Sequence, residues 1–231
     1  MIRLDAPWKS ARIAAVDTET TGTDPRTERI IEIGIVIFEA GQVVDRYQAL
    51  IHPERPLPPV ITEVTGIKPE DLEGKPVFAE VAEEIRARLT GQVMLAYNAE
   101  FDIGMLKSEF ERLGAPIDLP PCLDPFPFCW ENLREKGLTR SAQLGTVSEY
   151  LKVTLTAAHR ADHDAEAAGR VLYALDALVG FPETLQALLG VQAAAMQRVS
   201  EAFARFRRGK TADRSALGAG EVVIELGPAY P

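Results

Sequence analysis

Apolar positions along this chain fall first into short unbroken runs and later into stretches with helical spacing. Ile13-Ala14-Ala15-Val16 is an apolar run that closes on acidic and hydroxyl residues and reads as a strand. Ile30 to Phe38 (IIEIGIVIF) and Val43 to Ile51 are also strand-like. Glu39-Ala40-Gly41-Gln42 forms the turn between them, so the three strands make an antiparallel meander. The proline-rich stretch Pro53 to Pro59 carries the chain out as a loop. Phe78, Val81, Ala82, Ile85 and Leu89 then repeat with the period of a helix. Gln92 to Ala96 is a short buried strand, followed by a helix from about Ala99 to Leu113 that Gly114 ends. Leu119 to Gly145, with prolines at 120, 121, 125 and 127, has no periodic signal. A short helix spans Thr146 to Leu151. A longer one spans Ala161 to Leu178, with Ala165, Ala168, Leu172, Leu175 and Val179 on one face.

A meander followed by alternating strands and helices predicts an α/β domain with a mixed sheet. Gly180-Phe181-Pro182 marks its end, giving a domain over 1–180 and a mainly helical extension and tail over 181–231. Within the extension Leu185 to Phe206 is helical and Arg205 to Lys210 is a basic cluster. Val222-Val223-Ile224 either adds a strand or belongs to a disordered end.

At 231 residues, 46% hydrophobic and 26% charged, the composition is that of an ordinary globular chain. No apolar run approaches the ~20 residues of a membrane span, and Met1 to Lys9 has no apolar core of a signal peptide. Cys122 and Cys129 make neither a Cys-x-x-Cys pair nor a zinc set, and read as the reduced thiols of a cytoplasmic protein. A net charge of -9 argues against coating nucleic acid by bulk electrostatics. It leaves open an enzyme that meets a short stretch of nucleic acid through bound cations, which reverse the local field.

That possibility rests on Val16-Asp17-Thr18-Glu19-Thr20-Thr21-Gly22. On a strand, Asp17 and Glu19 share a face at a spacing of about 7 Å, and their repulsion calls for a compensating charge. A divalent metal would supply it; alternatively the acids simply mark a strand returning to water. Asp102, early in the helix after the buried strand, is either a complement to the helix dipole or another ligand. His159 falls at or before the start of the long helix and Asp164 about one turn inside it, with Asp162 the natural cap and His163 facing solvent. Glu32, inside an apolar run, is structural or faces the same site.

In combination, Asp-x-Glu on a first strand, Asn98-x-x-x-Asp102 opening a helix and His159-x-x-x-x-Asp164 opening a later one resemble the DEDD-type 3′–5′ exonucleases that use a histidine. That branch includes the epsilon proofreading subunit of bacterial DNA polymerase III. The resemblance covers roughly residues 11 to 180 and extends to Val64-Thr65-Gly66-Ile67 and Cys122-Leu123-Asp124. Tyr97 stands where many relatives have histidine, and Arg160 stands where the tyrosine-using branch would have its tyrosine.

The resemblance implies a ribonuclease-H-like fold and two Mg²⁺ or Mn²⁺ ions. Asp17 would bridge both, Glu19 and Asp164 would hold the ion carrying the attacking water, and Asp102 would support the other through water. Hard cations take oxygen donors, which accounts for the carboxylates. His159 would accept the water's proton. Thr20, Thr21 and Gly22 would meet the terminal sugar, and Asn98 the adjacent phosphate or the site's own frame. Ile67 and Phe101 would either stack on a frayed terminal base or pack in the core. The implied substrate is the 3′ end of single-stranded or frayed DNA, with RNA as the rival. A non-catalytic polymerase-associated module and a small-molecule phosphodiesterase are alternatives. Residues 181–231 are candidates for contact with a polymerase subunit or a second copy, and the basic cluster for the substrate strand or solvent.

Overall fold

A computed structural model describes residues 2–156 and 160–216, with side chains as far as 206. Its sheet contains β1 (Arg12–Thr20), β2 (Ile30–Glu39), β3 (Gln42–Leu50), β4 (Val93–Leu95) and β5 (Cys122–Leu123), ordered β3-β2-β1-β4-β5. The first three strands are the expected antiparallel meander, and β4 and β5 continue the sheet in parallel with β1. At the β2–β3 hairpin Ala40 and Gly41 take φ of 47° and 79°. Two left-handed residues are what a tight turn between right-twisting strands requires. β1 outruns its apolar stretch because β2 pairs with it as far as Thr20, opposing Asp17 to Gly34 and Glu19 to Glu32.

The helices are α1 (Pro59–Thr65), α2 (Pro69–Leu72), α3 (Phe78–Leu89), α4 (Glu100–Arg112), α5 (Phe126–Cys129), α6 (Leu144–Leu151), α7 (Ala161–Val179) and α8 (Leu185–Ala216). α3 and α4 cover one face of the sheet, where Ala14, Val16, Ile33, Ile35 and Ile37 meet Phe78, Ile85, Leu106 and Phe110. α7 covers the other, where Ile13, Ala15, Val36 and Phe38 meet Ala165, Ala168, Leu172 and Leu175. With both faces covered, β2 is apolar at successive positions rather than alternating. The small residues of α7 allow close approach: a Cβ at Gly169 would lie 2.3 Å from the Phe38 ring. Val179, expected on the same face, is 37% exposed because the helix has passed the sheet before Gly180 ends it.

Beyond Gly180 the chain stays with this body. Trp8 N–H bonds to Glu183 O, Leu185 N–H to Ala6 O and Gln186 N–H to Leu4 O. Leu185, Leu188, Ala195 and Val199 of α8 join the core on the α7 side, and the Phe203 ring packs tilted against Trp130 with centroids 4.6 Å apart. Arg205 and Phe206 are exposed. The side chains from Arg207 on, and Val222 to Ile224, lie outside the described residues. Among the described residues no helix is long and apolar enough to cross a membrane.

Candidate active site

Pairing of β1 with β4 stops at Ala15, whereas pairing with β2 continues, so Asp17 to Thr20 project past the short side of the sheet. Strand alternation sends Asp17 and Glu19 toward α7 and Thr18 toward α4. On the α7 side one carboxylate oxygen from each of Asp17, Glu19 and Asp164 lies within 4.8 Å of the others. On the α4 side Thr18 donates its hydroxyl to Asp102 Oδ1 at 2.7 Å. Asp102 stands in the first turn of α4, 4% exposed. The acids therefore reach the end of β1 from both faces of the sheet.

Their electrostatics are unfavourable as they stand. Burial, followed by the charges of Asp102, Asp164, Glu19 and Glu32, holds Asp17 well above the usual carboxylate range. Burial and the charges of Asp164, Glu32 and Asp102 push Glu19 up to about 8. Burial pushes Asp102 up to about 7 against the pull of the Thr18 hydroxyl and of backbone N–H groups. Such a cluster takes up either protons or cations. Its donors are all carboxylate oxygens, the set that suits Mg²⁺ or Mn²⁺ rather than a thiolate-seeking metal, so the residues present fit a divalent ion.

The placement of Asp164 depends on β2. Glu32, fully buried, accepts from Ala161 N–H at 3.2 Å, from the Arg160 guanidinium at 3.0 and 3.1 Å, and from Gln48 Nε2 at 2.7 Å. Two residues on, the absent side chain of Gly34 lets α7 lie against the strand, since a Cβ there would fall 2.2 Å from the Ala161 carbonyl carbon and from Asp162 N. The expectation for Asp162 is corrected by this arrangement. The helix starts at Ala161 with Arg160 as its cap residue, and Glu32 from the sheet satisfies the first N–H. Asp162 is instead buried one position inside, paired with Arg46 at 2.8 Å. His163 is half-exposed and meets the Thr156 hydroxyl through Nδ1. Glu32 is thus structural and site-facing at once. His159 lies outside the described residues.

The turn after β1 uses its own hydroxyls. Thr20 Oγ1 donates to Gly22 O at 2.7 Å, and Thr21 Oγ1 donates to Glu28 Oε2 at 2.6 Å while accepting from Arg29 N–H at 2.9 Å. Both threonines are buried, and their hydroxyls find partners inside the fold. A Cβ at Gly22 would come within 3.0 Å of the Glu28 side chain, so the close approach there is to the protein itself. Ile67 is 4% exposed in a small core with Ile31 and Leu72, flanked by Leu57 and Ile61, which removes it as a stacking surface. Phe101 is half-buried against the α3–α4 core. Tyr97 bonds to Ala142 O at 2.5 Å and sets its ring edge-on to Phe126.

Asn98 takes a left-handed φ of 63° and opens the turn into α4. Its N–H and that of Ala99 bond to the two carboxylate oxygens of Asp124, each at 3.0 Å, and Phe126 N–H joins at 2.9 Å. Burial pushes Asp124 up to about 6 against these three donors. Cys122 and Cys129 are free thiols, and burial pushes Cys129 up to about 12. Thr18 and the bonding role of Asp124 escaped sequence reasoning. Thr18 had a usable signal in its position between two acids, which puts it on the opposite face.

A mixed sheet with helices on both faces and acids gathered at the end of its first strand defines a nuclease-like α/β protein. The chain belongs to the exonuclease family, whose model matches residues 14–172. It is 31% identical over 170 residues to the PolC-type DNA polymerase III of Halalkalibacterium halodurans, covering 72% of this chain and 11% of that one. It is 34% identical over 168 residues to the 3′–5′ exonuclease DinG of Bacillus subtilis, covering 69% of this chain and 17% of that one. The chain thus spans less than a fifth of the length of these relatives. In fold it is similar to the zinc-bound E. coli exonuclease I–single-stranded DNA complex, with TM-score 0.65, 19% identity, and coverage of 74% of this chain and 41% of that one. It is also similar to exonuclease X in complex with 5′-overhanging duplex DNA, with TM-score 0.58, 20% identity, and coverage of 77% and 98%. The ribonuclease-H-like expectation, with a helical C-terminal region, therefore holds, as does membership among the DEDD-type exonucleases.

Proposed function

We propose that this chain is a two-metal 3′–5′ exonuclease that removes nucleoside 5′-monophosphates from single-stranded or frayed DNA ends, in proofreading or repair in the cytoplasm. The observation that carries this reading is the convergence of Asp17, Glu19 and Asp164 within 4.8 Å, with Asp102 approaching from the other face. Asp17, Glu19 and Asp164 would hold one Mg²⁺ or Mn²⁺, and Asp17 with Asp102 the other. Bound there, the ions supply an activated water and stabilise charge on the attacking and leaving oxygens. The chain's own residues do the rest. His159 takes the proton from the water as it attacks phosphorus, and the bond to the leaving 3′ oxygen breaks. Asn98 and the half-buried Phe101 lie at the start of α4, on the side where the terminal nucleotide would rest. DNA is favoured over RNA because relatives of the same family are a DNA polymerase and a DinG exonuclease.

End-labelled DNA and RNA of matched sequence, incubated with pure protein and Mg²⁺, Mn²⁺ or EDTA, test the proposal. A ladder shortening from the 3′ end of DNA, abolished by EDTA, is expected. RNA shortened faster than DNA would make the enzyme an exoribonuclease. No metal-stimulated cleavage of either would make it a polymerase-associated module. His159→Ala should keep metal binding and lose ~10²–10⁴ in rate; an unchanged rate would remove His159 as the base.

A further inference from the structure

Among the described residues β5 is the last strand of the sheet, and its outer side would present unpaired backbone groups. Met94 and Ala96 donate to Pro121 O and Leu123 O on the inner side, which turns Cys122 and Asp124 outward. Gln192 of α8 meets both of the outward groups. Its Oε1 accepts from Asp124 N–H at 2.8 Å and its Nε2 donates to Cys122 O at 3.1 Å. One side-chain amide thereby makes the two bonds that a residue of a sixth, parallel strand would make. The residue it holds, Asp124, binds Asn98 N–H and Ala99 N–H through its carboxylate, fixing a non-glycine left-handed turn immediately before the helix that carries Asp102.

We infer that Gln192 is a positioning residue for the nuclease site, acting through Asp124 and the Asn98 turn to set Asp102. Gln192 lies beyond residues 14–172, the part that matches the exonuclease family. The start of the C-terminal extension is therefore a working part of the nuclease rather than a tether to a partner. This inference rests on the exonuclease reading above.

The test uses the full chain with Gln192→Met, which keeps length and packing but removes both hydrogen bonds, beside Asp124→Asn and the double variant. Assays run well below each variant's melting temperature, with folding checked by circular dichroism. Losing an outer support of a metal ligand typically costs 10–100-fold. Gln192→Met should accordingly lower kcat about 10-fold and raise the half-saturating Mg²⁺ concentration, leaving KM for DNA within about twofold. The double variant should lose little beyond Asp124→Asn alone, because the two act in series. Wild-type kcat and Mg²⁺ dependence in Gln192→Met would overturn the inference, as would losses that multiply fully in the double variant. Wild-type protein with no metal-dependent cleavage would instead sink the exonuclease reading on which it rests.

Discussion

Replacing Glu19 by Gln should make the metal-free protein more stable while removing its activity. In the folded chain Glu19 is pushed up to about 8, against 4.5 for an ordinary glutamate. A carboxylate raised on folding adds no penalty below the unfolded value, costs stability progressively as pH rises from the unfolded value to the folded one, and adds nothing further above it. At pH 7 the folded protein must keep a proton that the unfolded chain has released. The difference of 2.5 pH units between 7 and 4.5, at 1.36 kcal/mol each, gives about 3 kcal/mol. Glu19 is only half-buried, and partial solvent screening brings the expected gain to about 1–3 kcal/mol, or roughly 2–10 °C in Tm for a chain of this length. Thermal melts of both proteins in EDTA at pH 5, 7 and 9 would measure it. The two curves should nearly coincide at pH 5 and separate as pH rises, with Glu19→Gln the higher. Mg²⁺ at pH 9 should raise wild-type Tm and narrow the gap, because cations replace the missing protons. A variant that melts at or below wild type at pH 9, or a gap that does not change with pH, would refute the electrostatic account of the site.

Three further substitutions separate the parts of the site. Gly34→Ala forces a methyl to within 2.2 Å of the α7 backbone, so it should cost about 3 kcal/mol in denaturant unfolding and at least tenfold in rate; near-wild-type stability would mean that α7 does not rest on β2 as described. Thr18→Val removes the hydroxyl that holds Asp102 and should lower activity about tenfold with little change in Tm, and full activity would show that Asp102 needs no such support. Ile67→Ala empties a buried site and should cost about 2–4 kcal/mol without changing KM for DNA. A raised KM with unchanged Tm would restore Ile67 as a surface for the strand.

The elements legible in the sequence are those with a helical period or a long strand-like run. Phe78–Leu89 forms the expected helix residue for residue, and the two long strands fall where their apolar runs lie. Cys122–Leu123 was recognisable only through its motif, because a two-residue edge strand is too short for any repeat to register. Next to it, Pro127 occupies the first turn of α5, where a missing N–H costs nothing, so prolines that looked like loop punctuation begin a helix. At the candidate site, the gathering of Asp17, Glu19 and Asp164 could be read because acids placed along a strand and a helix leave a spacing in the chain. Thr20 and Thr21 could not, since whether a hydroxyl faces a ligand or closes a turn depends on Glu28 and Arg29 several residues away. Asp162 misled for a related reason: a distant carboxylate, Glu32, does the work that a local cap would do. Gln192 left no trace at all, because its partners are backbone groups and any sequence could supply them.

The approach of α4 and α7 to β1 from opposite sides of the sheet has a consequence for synthesis. During synthesis Asp164 follows Asp17 by 147 residues, with β2 to β5 and α1 to α6 made between them. A chain halted before Asp164 lacks one of the four acids, so the set closes only after all five strands have been made.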